Sequence, residues 1–186
     1  MDVFLEYLMR KEPSKGDTLK KTGLTFAAVL ACIFVIIGFP LLASFLRNYV
    51  LIGVAAVIYG LMVLLRNFNL EYEYIFTNGT LDIDVIKAKR TRSRMISLQT
   101  IKIQRMAPAE DDRYTREFEN PQISKRYDAV YNPAKGGVYH VLFVFDGEKM
   151  LLSFQPPVKL LAAMQKMNPL AVVLSDQDKE EIAEIG

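Results

Sequence analysis

From Thr22 to Leu46 the chain runs without a charged residue, and that stretch limits what everything around it can become. As a helix it reaches about 37 Å at 1.5 Å per residue, against a hydrocarbon core of roughly 30 Å. Leu24 to Leu46 holds fourteen Leu, Ile, Phe and Val residues. At mid-bilayer these contribute about −4 to −8 kcal/mol in total. Pro40 is expected to shorten or kink the span. After Arg47 and Asn48 a second apolar run, Tyr49 to Leu65, ends at Arg66 and reaches about 25 Å. Arg47 and Arg66 can snorkel and Tyr49 suits the interface, so the short second span is tolerated. The expectation is a hairpin of two transmembrane helices, at about 22–44 and 49–66. A signal peptide and a buried soluble hairpin are the competing readings. A signal peptide has an apolar core of about 7–15 residues and no second span directly behind it, although Ala43 and Ser44 are small enough for cleavage.

Lys and Arg set the orientation: Arg10, Lys11, Lys15, Lys20 and Lys21 precede the first span, whereas the connecting loop holds only Arg47. The positive-inside rule then puts both termini in the cytoplasm of a multi-pass protein. Residues 1–21 form a cytoplasmic leader in which Val3, Phe4, Leu5, Tyr7, Leu8 and Met9 stand beside Arg10 and Lys11. That is the composition of a short interfacial helix or a flexible leader, ended by Glu12-Pro13. A net charge of +2 is too small to indicate nucleic acid. Cys32 is the single cysteine and lies in the apolar block, and His140 is the single histidine. Intrachain disulfides, cysteine zinc sites and histidine-rich metal sites are therefore excluded, and no metal or cofactor is expected.

Beyond the hairpin the pattern changes to period two. Tyr72, Tyr74 and Phe76 alternate with Glu71 and Glu73 before Asn78-Gly79, the signal of a type I′ hairpin. A two-residue loop there pairs Phe76 with Leu81, Tyr74 with Ile83 and Tyr72 with Val85 on one face, and sets Glu73 against Asp84 on the other. That repulsion requires positive charge from the next strand. A three-residue loop at Lys87, Ala88 and Lys89 places Arg90, Arg92 and Arg94 beside Ile86, Asp84 and Asp82. Leu98 to Met106 and Ile123 to Tyr131 read as further strands, separated by an exposed loop at 107–122 with Tyr114 and Phe118 as anchors. Val138 to Phe145 turns at Asp146-Gly147 into Glu148 to Gln155. The same loop rule pairs Phe143 with Met150, Val141 with Leu152, Tyr139 with Phe154 and His140 with Ser153. After Pro156-Pro157, the residues Val158, Leu161, Met164 and Met167 recur at helical spacing up to Asn168-Pro169. The acidic tail, 169–186, is either disordered or a short helix capped by Ser175.

Seven strands followed by one helix, with Tyr74-Ile-Phe-Thr-Asn-Gly-Thr-Leu-Asp-Ile-Asp84, Lys89-Arg-Thr-Arg-Ser-Arg94 and Ile96-Ser-Leu-Gln-Thr-Ile101 in that order, resembles bacterial membrane-anchored pleckstrin-homology-like (PH-like) proteins. In those the domain likewise follows a pair of transmembrane helices. The resemblance covers about residues 22–168. It implies a membrane α-helical hairpin plus an α+β, mainly-β PH-like domain at 69–168, with about seven antiparallel strands in a partly open barrel capped by a C-terminal helix. It also implies a plasma-membrane protein of bacterial type. The motifs specify architecture rather than a ligand, and no inositol-phosphate loop matches residue by residue.

The one candidate binding patch is Lys87, Lys89, Arg90, Arg92, Arg94, Lys102 and Arg105, in a stretch with no acid from Ile86 to Ala109. It has two readings. The arginines neutralise Asp82, Asp84 and Glu73 across strands, or the stretch meets anionic headgroups at roughly 1 kcal/mol per basic residue. His140 is expected to be a satisfied sheet residue, and no Ser-His-Asp arrangement is recognisable, so an enzyme is not expected. Neither span carries an internal ionisable residue, which favours anchoring over transport. Gly53, Ala56 and Gly60 offer a small-residue face for a homodimer or a membrane-protein partner. The expected function is a membrane-anchored binding or scaffolding module in contact with the lipid bilayer and its anionic lipids. The alternative is an accessory subunit of a membrane transport or secretion complex, acting through protein contacts.

Overall fold

The computed structural model describes residues 3–42 and 44–185. The first residues of the leader, Ala43 of the first span and Gly186 of the tail, all within the segments assigned above, lie outside the described residues. The chain divides into two compact units: 1–11, 71–86 and 91–186 form one, and 12–70 with 87–90 the other.

The second unit is the hairpin. Its first helix, α1 (Lys15–Leu42), begins behind a capping pair in which Ser14 Oγ accepts from Asp17 N (3.2 Å) and Asp17 Oδ2 accepts from Ser14 N (3.3 Å). Pro40 lies inside the helix. After a 3-10 turn at Ser44–Tyr49 comes α2 (Val50–Arg66). The helices touch where Gly53 faces Val35: a Cβ added at Gly53 would lie 2.8 Å from Val35 Cγ1 and 3.4 Å from Phe39. Gly53 is thus used inside the hairpin, whereas Gly60 meets nothing within 4 Å. Both helices are long and apolar enough to cross a membrane, and their apolar side chains are exposed rather than packed into a core: 6% of the most apolar window of α1 is buried and none of the second. A soluble core hairpin would bury them.

The other unit is the β-domain, and its first strand is the main departure from expectation. Phe4–Arg10 is neither an interfacial helix nor a flexible leader but a strand, β1, paired antiparallel with β2 (Leu70–Thr77) from Phe4 opposite Thr77 to Arg10 opposite Glu71. The whole hairpin is inserted between these two paired strands. The β-domain is therefore discontinuous in sequence, and a boundary at residue 69 omits one of its strands. One four-stranded sheet has the order β1-β2-β3-β4, with β3 at Thr80–Lys87 and β4 at Thr91–Gln99. Asn78 (φ 47°) and Gly79 (φ 88°) form the tight turn, both left-handed as a type I′ turn requires. The next loop is Ala88–Arg90, one residue later than expected, closed by Arg90 N donating to Lys87 O (3.0 Å).

The second sheet, of β5 (Ile103–Pro108), β6 (Ile123–Ala129), β7 (Tyr139–Phe145) and β8 (Glu148–Phe154), has the order β5-β7-β8-β6. The β7–β8 register agrees with the sequence arithmetic at all four stated pairs, including His140 opposite Ser153. The all-antiparallel expectation fails at β6, which runs parallel to β8. Parallel strands need a crossover. Here the 109–122 connection carries the chain from one edge of the sheet to the other, anchored by a short helix α3 (Thr115–Phe118) with Phe118 buried and Tyr114 packed beside it. The sheets meet face to face: Tyr74 packs edge-on against Phe154 at 5.7 Å and donates to Ala129 O (2.6 Å). Among the described residues there are eight strands in two sheets rather than seven in a partly open barrel. The expected capping helix is α4 (Val158–Met167), burying Leu160, Leu161 and Met164. The tail forms α5 (Asp176–Ile185), with Ser175 Oγ accepting from Asp178 N (3.1 Å) as its cap.

Candidate functional site

The seven basic residues do not form one patch. Arg92 and Arg94 belong to a charge cluster on the outer face of the first sheet. Arg92 bridges Glu73 (2.5 Å) and Asp84 (2.6 Å), the two acids the hairpin register sets against each other. Arg94 pairs with Asp82 (2.6 Å) and also with Asp84. Glu73 and Asp84 are buried in the sheet, and the half-exposed arginines neutralise them from its surface. Burial pushes the Asp84 carboxyl up, but hydrogen bonds from Arg92 and Arg94 outweigh it and leave the group below its ordinary value. Glu73 goes the other way: burial raises it, as does the neighbouring Glu6 carboxyl on β1, which accepts a hydrogen bond from the protonated Glu73, against the pull of Arg92. Arg105 is also engaged, 3.6 Å from Glu117 with its guanidinium 5.0 Å from the Tyr114 ring.

Lys87, Lys89 and Arg90 are exposed, and among the described residues no acid pairs with them. Their loop belongs to the hairpin unit. Ala88 N donates to Asn69 O (2.8 Å), three residues beyond the end of α2, and Lys21 Nζ stands 5.7 Å over the Phe68 ring. One end of the hairpin thereby carries Lys20, Lys21, Arg66, Lys87, Lys89 and Arg90, while the 3-10 turn at the other end carries Arg47 alone. Ala88 (φ 54°) and Lys89 (φ 56°) hold left-handed backbone without being glycine, so the loop that presents these cations is strained. Lys102 is exposed on a 3-10 turn of the β-domain, Thr100–Lys102.

His140 is half-buried. Its Nδ1 lies 2.9 Å from Ser153 Oγ and its ring packs edge-on against Phe118 at 5.2 Å. Burial, with nearby Arg126, holds it below the ordinary imidazole value. The register sets Asp128, Ser153 and His140 in one row across β6, β8 and β7. A catalytic relay needs the imidazole between hydroxyl and carboxylate, whereas here the serine is in the middle and Asp128 accepts from Val130 N (3.0 Å). The row supports a structural role. Sequence reasoning missed an open cleft of about 820 Å³ bounded by Tyr7 and Met9 of β1, the Lys135–Tyr139 segment and α5. Tyr139 donates to Asp178 and accepts from Ser175 N (3.1 Å), which fixes α5 beside it. The cleft was illegible because β1 itself was.

A discontinuous two-sheet β-domain with a helix cap and an inserted apolar hairpin defines the class: a PH-like module carrying two helices fit to cross a membrane. The chain belongs to the family described as Bacterial PH-like domain (DUF6106), whose model matches residues 1–174. The match takes in β1, the hairpin and both sheets, and stops before α5. No curated protein and no solved structure matches the chain.

Proposed function

We propose that the protein is a multi-pass anchor of the cytoplasmic membrane, both termini cytoplasmic, whose PH-like domain is a binding or scaffolding module held at anionic headgroups by Lys87, Lys89 and Arg90. The observation that carries this reading is the hydrogen bond from Ala88 N to Asn69 O. It fixes the loop just beyond the last turn of α2, where a spanning helix meets the headgroup layer. Lys21 and Arg66 at the same end, against Arg47 alone at the other, support a cytoplasmic assignment for that end. Three exposed cations near an anionic surface contribute roughly 3 kcal/mol, about a hundredfold in affinity at low salt. Arg92 and Arg94 are left out because they are committed to Glu73, Asp82 and Asp84.

The test uses the full chain, since excision at residue 69 removes β1. In sealed vesicles, single cysteines at Ser124 and Ser175 in a Cys32→Ser background label from the cytoplasmic side, and one at Arg47 from the outside. In detergent, native mass spectrometry with mixed phosphatidylglycerol and phosphatidylcholine finds the anionic lipid retained by the parent and lost from the Lys87→Gln/Lys89→Gln/Arg90→Gln variant. External labelling of Ser175 sinks the topology. Equal retention of both lipids by the parent moves the search to protein partners.

A further inference from the structure

The β-domain carries a second surface, at the end of its sheets marked by the Asn78-Gly79 turn. Leu170 is 89% exposed and Ile101 74%, the two most exposed large apolar residues of the described β-domain, and Leu170 exceeds every large apolar residue of the hairpin. They do not sit on loose loops. Asn168 donates from Nδ2 to Thr100 O (3.0 Å) and Ile103 O (3.3 Å) and accepts from Ala171 N (3.3 Å). Arg105 Nη1 donates to Leu170 O (3.4 Å), and Thr100 N donates to Gly79 O (2.8 Å). These bonds staple the two loops together and hold Ile101 and Leu170 as fixed tips. The β5–β7 register, Ile103 opposite Phe143, carries half-exposed Phe145 to the same end. Lys102 next to Ile101 and Lys166 in the last turn of α4 are exposed, as are Asp146 and Glu148 at the turn after Phe145.

Three separate convex tips suit a soft partner. A protein partner needs a concave surface shaped to all three, whereas the headgroup–acyl boundary of a bilayer accepts apolar tips without shape matching and lysines at its surface. We propose that this end of the domain is a second contact with the membrane, with Ile101, Phe145 and Leu170 entering the boundary and Lys102 and Lys166 at the headgroups. The inference rests on the anchoring reading, which keeps the domain close to a bilayer at high effective concentration. Because Asp146 and Glu148 offset the two lysines, the apolar tips supply the affinity. This contact therefore resists salt, whereas that of the Lys87–Arg90 loop does not.

The chain contains no tryptophan, so single reporters can be placed without background. Leu170→Trp, Ala134→Trp and Ile37→Trp variants of the full protein go into nanodiscs with and without brominated acyl chains, at low and high salt. The expected result is a blue-shifted Leu170→Trp that loses roughly half its emission to brominated lipid at both salt levels, with Ala134→Trp, at the opposite end of β7, unaffected. Ile37→Trp, in α1, is quenched throughout. Loss of quenching at an Ile101→Trp reporter when Leu170→Glu is added ties the effect to the tips. Leu170→Trp emitting as in water while Ile37→Trp is quenched overturns the proposal and leaves the anchor standing. Ile37→Trp unquenched overturns the anchor as well. A blue shift without quenching marks a protein contact, and quenching of Ala134→Trp equal to that of Leu170→Trp marks unspecific adsorption; either overturns the proposal.

Discussion

Arg92 and Arg94 stand within seven residues of Lys87, yet the two groups have different physical status. The arginines lie in a strand opposite buried acids, and their charge is neutralised on the sheet face. Lys87, Lys89 and Arg90 lie in or beside the loop before them, where no acid meets them among the described residues and the backbone is bonded to Asn69, three residues beyond the end of α2. A run of like charges in a sequence is therefore no measure of the charge a protein can offer a ligand. Strand register decides which part of it is available.

The largest effect that sharpens this contrast is on stability. Replacing Arg92 with alanine leaves Glu73 and Asp84 opposed and buried, with Arg94 still on Asp84. Arg92 is itself half-exposed, so we expect a clear loss of stability, smaller than for a fully buried pair. The Lys87→Gln/Lys89→Gln/Arg90→Gln variant is expected to stay within about 0.5 kcal/mol of the parent. Thermal unfolding of both in one detergent checks the pair. Equal destabilisation would show that the loop cations are structural too, which breaks the comparison.

Much of this contrast was legible in the sequence and some was not, for identifiable reasons. Asn78-Gly79 and Asp146-Gly147 fix their registers by turn chemistry, so the opposition of Glu73 and Asp84 and the pairing of His140 with Ser153 follow from counting. Loop 88–90 was displaced by one residue because Ala88 and Lys89 adopt left-handed backbone without the glycine or asparagine that advertises it. β1 was missed because Leu, Met, Glu and Arg favour helix in isolation and its partner lies beyond the inserted hairpin. Its alternation, Leu5, Tyr7 and Met9 half-buried against Phe4, Glu6, Leu8 and Arg10 exposed, is plain only once that partner is known. The same omission concealed the cleft. The parallel direction of β6 has no local signal at all, since it is set by where the 109–122 crossover ends.

The two turns at opposite ends of β3 give a smaller effect of opposite sign. Gly79 holds φ 88°, and an added Cβ would lie 2.6 Å from Met167 Sδ. Met167 is flexible and can yield, so Gly79→Ala is expected to cost about 1–2 kcal/mol, mostly backbone strain. Ala88 holds φ 54° with a Cβ already in place. Ala88→Gly is expected to be neutral or to stabilise the protein by up to about 1 kcal/mol, as strain relief competes with the greater freedom of the unfolded chain. A matched pair of unfolding curves tests both. Destabilisation by Ala88→Gly would show that the loop is not held under strain.

The smallest effect concerns pH and separates the second sheet from the first. His140 is held neutral by burial, so its folded value lies below the unfolded 6.5. Below that pH the unfolded chain takes up a proton the folded chain refuses, and stability falls as pH drops until the folded value is passed. Above it the term is absent. Asp84 has the same sign in a lower window, because its folded value lies below 3.8 and its contribution is lost only under strongly acid conditions. Unfolding followed between pH 7.5 and 5 should thus show a slope that His140→Gln removes and Asp84→Asn leaves in place. A slope that survives His140→Gln would place the titrating group elsewhere, and Glu73, raised by burial and by Glu6, is the first to test. The sign tells them apart: a carboxyl raised on folding adds stability as pH falls through its folded value, the reverse of the histidine.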